Sequence, residues 1–98
     1  MRFTLQAISR HIRKHHPGCP DFAVTYISEK IASRDWEDIS LGGAVGATMQ
    51  GILRHSMTKY DTLLQEGIDR LEARRMVQPR VEALLKVWAV KPPPSNVP

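Results

Sequence analysis

Between Arg54 and Asp61 the chain reads Arg-His-Ser-Met-Thr-Lys-Tyr-Asp, a base, a phenol and a carboxylate set within a few positions of one another. As an active site, His55 would be the general base, Tyr60 a proton donor and Asp61 the group that orients the imidazole. The same residues suit a junction between two helices. Thr58 followed three positions on by Asp61 resembles a capping box with Asp in place of Glu or Gln, so a new short helix starts there. His55 would then close free carbonyls of the preceding helix or meet Asp61, while Tyr60 packs inward with its hydroxyl at the rim. No nucleophile, metal set or phosphate loop accompanies the cluster, so the structural junction outweighs catalysis and no catalytic residue is assigned.

A second group with chemical potential is His11, His15 and Cys19. Two histidines four apart share a helix face, as a metal site requires. Yet His15 falls beside the apolar stripe, Cys19 follows a turn, and a fourth ligand is missing unless His16 swings round. Satisfied or solvated histidines are the expectation, and no metal or cofactor is assigned. One cysteine also excludes an internal disulfide.

The basic residues are the third group. Residues 1–20 hold Arg2, Arg10, Arg13 and Lys14 with no acid, and residues 70–98 hold six Lys/Arg against Glu72 and Glu82. The stretch between them carries four Lys/Arg against eight Asp/Glu. Basic ends around an acidic middle either neutralise it or converge on an anionic partner. The bias toward arginine favours phosphate contacts, through Arg10, Arg13 and Lys14, an outward Arg54, and Arg70, Arg74 and Arg75. There is no helix-turn-helix signature, zinc knuckle or aromatic platform for single strands. The expected function is a non-enzymatic binding module on nucleic-acid backbone. The rival is a protein-interaction or homodimerisation module built on the third helix, where Gly42, Gly43, Gly46, Ala47 and Gly51 leave one side nearly bare; there, packing within the chain is favoured over a dimer seam. A hydrolase or nuclease ranks third.

The elements that must carry these groups are helical. Leu5, Ile8 and Ile12 share one sector of a helix whose far side is Arg10, Arg13 and Lys14, and Pro17-Gly18-Cys19-Pro20 ends it. A second helix shows Ala23, Ile27 and Ile31 with Phe22 and Tyr26 beside them, fading into Asp35-Trp36-Glu37-Asp38. Ser40 caps a third with Leu41, Val45, Met49 and Ile52 on one face, Arg54 opposite and His55 half buried at its edge. A short helix from Thr58 to Gly67 follows. A last helix over about residues 70–89 keeps Ala73, Val77, Val81, Leu84 and Trp88 in one register through Pro79, which falls on the outer face and kinks it. The fold class is an all-α bundle of four main helices and one short one, a single domain over residues 1–90 with a disordered Pro-rich tail at 91–98. An apolar content of 42% suits a soluble globular chain, and no run approaches the ~18 apolar residues of a membrane span, so the cytoplasm is the expected compartment.

The run Ile52-Leu53-Arg54-His55, then Thr58, Tyr60, Asp61, Leu63 and Leu64, then Asp69-Arg70, Ala73-Arg74, Val77, Val81, Leu84 and Trp88 resembles the family called domain of unknown function 2293. The Pro17-Gly18-Cys19-Pro20 turn after a His-containing helix resembles it too, and the likeness covers most of residues 8–88. It implies a recurrent small helical module and supplies no reaction.

Overall fold

The computed structural model describes residues 1–92, and the tail expected from residue 91 lies, beyond Pro92, outside the described residues. Five helices follow in order: α1 (Leu5–His15), α2 (Asp21–Ala32), α3 (Leu41–Met57), α4 (Tyr60–Gln65) and α5 (Arg70–Trp88). There is no strand among the described residues. The expected all-α architecture of four main helices and a short one is what forms.

Local rules set most of the boundaries. Thr4 Oγ1 accepts from Ala7 N, Ser40 Oγ from Gly43 N and an Asp69 carboxylate oxygen from Leu71 N, so three helices open on side-chain caps. The short helix α4 closes on Gly67 at φ +87°, a conformation that favours glycine. Gly67 N donates to Leu64 O and Ile68 N to Leu63 O, each at 3.0 Å, and Ile68 packs against the cluster that contains Leu63. α5 runs without interruption through Pro79, which is exposed on its outer face.

α3 is the common partner. α1 and α2 pack on each other and on α3, and α4 and α5 pack on each other and on α3. The main core joins Ile8 and Ile12 of α1, Ile27 and Ile31 of α2, Val45 and Met49 of α3, and Val81 of α5. A smaller core of Tyr60, Leu63, Ala73 and Val77 lies between α4 and the first half of α5. Buried Trp36, in the α2–α3 loop, belongs to the main core and donates its Nε1 hydrogen to Ile31 O at 3.0 Å.

Three expectations about faces are corrected. Leu5 is half exposed, and His15 is exposed rather than in the apolar stripe. On α2 the buried sector is centred on Val24, Ile27, Ser28 and Ile31, which leaves Phe22 78% and Tyr26 55% exposed. The close packing expected along the glycines of α3 is not made at Gly46 or Gly51, where a methyl group would meet nothing within 4 Å.

The glycine that the fold does require is Gly18. Its N–H donates to Trp88 O at 2.9 Å, so the α1–α2 turn closes the C-terminal end of α5. A Cβ there would meet the Val90 carbonyl oxygen and lie 2.6 Å from that of Val87. Backbone cannot yield as a side chain does. Gly18→Ala is therefore expected to cost roughly 1–3 kcal/mol or more in a thermal or urea melt. Pro79→Ala in the same assay is expected to be neutral or stabilising, because it restores a helix hydrogen bond and touches no core residue. A large loss on Pro79→Ala would mean that the proline itself holds α5 against its neighbours.

Candidate functional site

The segment 54–61 forms a junction. Thr58 Oγ1 donates to Arg54 O and accepts from Tyr60 N at 3.1 Å, so one side chain ties the end of α3 to the first residue of α4. Thr58 is the C-cap of α3; the N-cap of α4 is Lys59, whose side chain makes no cap, rather than Thr58 as expected. Asp61 does not reach back to complete a capping box. It turns instead to His55, whose Nδ1 lies 2.7 Å from Asp61 Oδ1. A carboxylate only accepts, so Nδ1 carries the hydrogen. The Tyr60 ring is buried and meets the His55 ring edge to face at 5.2 Å. No hydroxyl hydrogen-bonds to His55 among the described residues. The pair can orient an imidazole.

Arg54 and His55 exchange the places expected of them. His55 is exposed, as is its partner Asp61, whereas Arg54 is half buried with its guanidinium 5.7 Å from the Tyr60 ring centre. Its Nε is enclosed without a hydrogen-bond partner among the described residues. Burial first, and then the charge of Arg74, lower its pKa, so Arg54 and Arg74 share one electrostatic neighbourhood. Lys59 and Arg80 line an adjacent hollow that has no carboxylate in its wall.

The other basic residues fall into two sets. Arg10, Lys14, Arg70 and Arg74 are exposed and carry no carboxylate partner among the described residues. Arg13 pairs with Asp21 at 3.0 Å, and Arg75 pairs with Glu72 on its own helix. Both pairs are exposed and contribute little to stability. The Gly18–Trp88 contact places the end of α1 at Trp88, fourteen residues along α5 from Arg74. At 1.5 Å per residue that is about 21 Å, so the α1–α2 turn and Arg74 lie toward opposite ends of α5.

A groove that the sequence reading did not identify runs between α2 and α3, with a volume of about 450 Å³. One wall is Tyr26, Lys30 and Arg34, and the other is Ala47, Gly51 and His55. Tyr26 and Lys30 on α2, and Ala47, Gly51 and His55 on α3, are four apart, the spacing that puts side chains above one another on a helix, and Arg34 continues the first wall just beyond the end of α2. The Arg34 guanidinium lies 4.3 Å from the centre of the Trp36 ring, and Lys30 Nζ lies 5.9 Å from that of Tyr26. No carboxylate lines the groove. The row was visible in the sequence as Tyr-x-x-x-Lys-x-x-x-Arg. Placing Tyr26 near the core hid it.

Among known protein families, one model, described as "Uncharacterized conserved protein (DUF2293)", matches residues 11–89. The chain belongs to this family. No curated protein and no solved structure matches it. The match spans the junction, the groove and all of α2 to α5, so this DUF2293 chain has its candidate sites within the family region.

The histidines at the start of that region stack with each other. His11 and His15 have ring centres 4.4 Å apart, and burial, then the charges of His15 and Lys14, lowers the His11 pKa. Burial, then His11 and His15, does the same for His16. Cys19 is buried in the main core, and that burial pushes its thiol up to about 11. No group of three His, Cys, Asp or Glu side chains able to hold a metal occurs among the described residues.

Because Thr58 serves both helices, Thr58→Ala is expected to cost about 1 kcal/mol or more in a denaturant melt. Asp61→Ala removes only an exposed pair and should cost less than about 1 kcal/mol. The reverse order would show that the His55–Asp61 pair, rather than the cap, holds the junction.

Proposed function

We propose that this DUF2293 domain is a non-enzymatic module that binds nucleic-acid backbone, acting in the cytoplasm. The observation that carries this reading is the cluster of Arg54, Lys59, Arg74 and Arg80 about the α3–α4–α5 junction, with no carboxylate pairing any of them among the described residues. Uncompensated like charges raise the free energy of the folded chain, and an anionic partner relieves them. Arginine suits that role because its planar fork bridges phosphate oxygens. Arg10 and Lys14 of α1 would add further contacts. Such a module binds weakly, tolerates sequence and responds steeply to salt.

The second reading is a protein-interaction or homodimerisation module. What favours it is the open space at Gly46 and Gly51 on α3. No helix of the described residues is long and apolar enough to cross a membrane, and no membrane partner is proposed.

Fluorescence anisotropy with labelled duplex DNA and RNA over a salt series tests the leading reading. Binding should be detectable at low salt. The combined change Arg74→Glu and Arg75→Glu should weaken it and reduce the log–log salt slope by about 0.9 for each phosphate that is no longer neutralised. Both side chains are exposed, so the melting curve should not move appreciably. Absence of binding to any nucleic acid at low salt overturns the proposal.

A further inference from the structure

The groove between α2 and α3 borders the arginine cluster at α5, since Ser56 lines both it and the hollow of Lys59 and Arg80, and nothing in the fold fills it. Its floor is open because α3 presents Ala47 and Gly51 where most helices carry larger side chains. Its walls combine an exposed aromatic face, Tyr26, with three nitrogen-bearing side chains, Lys30, Arg34 and His55. Thr48 and Ser56 add hydroxyls. Trp36 keeps Arg34 at the rim, since the indole is locked into the core by its own bond to Ile31 O and offers the guanidinium a flat surface. Asp61 holds the His55 ring through Nδ1 and leaves Nε2 free of hydrogen bonds among the described residues.

The chemistry of the walls chooses between occupants. A second copy of the chain, related by a two-fold axis through the groove, would bring Lys30 and Arg34 of both copies into one interface, and like charges gathered there oppose association. An anion is favoured. An acidic peptide would satisfy the cations and leave the Tyr26 ring without a flat partner. A nucleotide uses both, because a base stacks on an aromatic face while its phosphate takes the cations. The volume of about 450 Å³ lies in the range of about 300–1,000 Å³ typical of small-molecule sites.

On the nucleic-acid reading, on which this depends, we infer that the α2–α3 groove is a site for an unpaired nucleotide of a single strand, with the base on Tyr26 and the phosphate held by Lys30, Arg34 and His55. Gly51 is then a specificity feature: it keeps the groove open. A Cβ at this position meets nothing of the protein itself within 4 Å and a non-glycine residue improves helix propensity, so Gly51→Leu starts from open space and projects its side chain into the groove.

The test measures anisotropy of a labelled single-stranded oligonucleotide about eight nucleotides long and of a duplex, with parent, Gly51→Leu, Tyr26→Ala and the Arg74→Glu/Arg75→Glu double variant. Gly51→Leu and Tyr26→Ala should each weaken the single strand about tenfold, with duplex binding within about twofold of the parent. Gly51→Leu should melt at or above the parent temperature, which separates groove closure from unfolding. The double variant should lose duplex binding. If both groove variants hold the single strand as the parent does while the double variant loses the duplex, the groove is not the site and the backbone reading stands. If the parent binds neither nucleic acid, both fall. If Gly51→Leu abolishes binding of a polyglutamate peptide, or dissociates a dimer seen by sedimentation, while oligonucleotide binding is unchanged, the occupant is a polypeptide and the inference is overturned.

Discussion

The buried face of α3, formed by Ala44, Val45, Met49 and Leu53, is the surface on which both halves of the molecule rest. α1, α2, α4 and α5 all pack on α3, and the main core gathers residues of α1, α2 and the second half of α5 around it, while α4 and the first half of α5 close a smaller core of their own. A helix with two sets of neighbours needs small residues where they come closest. Ala44, fully buried, supplies one such place. The second tie between the halves is the Gly18–Trp88 hydrogen bond, which joins the α1–α2 turn directly to the end of α5. α5 divides its own burial accordingly: Val77 enters the small core with α4, and Val81 enters the main one. Pro79, between them in sequence, points away from both.

What the sequence made legible was local. Ser40, Thr58, Asp69 and Gly67 mark helix ends through their own side chains or backbone preference, and each mark can be read without knowing the fold. Pro79 could be placed on the outer face because the register of Val77 and Val81 runs through it. The helix phases of α1 and α2 were harder. α2 carries apolar or neutral residues around much of its circumference, with Phe22 and Tyr26 on one side and Val24 and Ser28 on the other, so periodicity alone offers two faces. The positions of α1 and α3 decide between them, and they select Val24 and Ser28. Trp36 was invisible for a related reason: its neighbours Asp35, Glu37 and Asp38 give the segment the composition of a solvated loop, whereas the indole is needed to cover the end of α2.

The candidate site was legible in its residues and not in their arrangement. Thr58, Tyr60 and the His55–Asp61 pair form the expected junction, since they lie close to each other along the chain. Arg54 and His55 trade exposure because the partner that decides it, the Tyr60 ring, belongs to α4 and turns back over the end of α3. A helical wheel drawn for α3 alone contains no information about that ring. The same limit applies to the basic residues of the two ends: their sign is plain in the sequence, and their distance is set by the packing of the helices.

Two features of this domain work against its stability. Glycine in the interior of a helix costs roughly 1 kcal/mol relative to alanine, and at Gly46 and Gly51 no close neighbour offsets it. Arg54 sits partly buried beside Arg74, in a position where burial and a like charge both lower its pKa. A small domain has a thin margin, so such losses are tolerated most easily where the surface has work to do. Gly51 and Arg54 fall on surfaces that also hold cations without acids beside them, the α2–α3 groove in one case and the junction at α5 in the other. Elsewhere the fold follows the stabilising choice: Arg13 meets Asp21, Arg75 meets Glu72, and Gly18 and Gly67 stand where a side chain would collide or the backbone requires it. The contrast between positions where a glycine or an arginine is needed by the fold and positions where it is not is the physical reason for seeking the partner at the junction and the groove, and not at the histidines of α1.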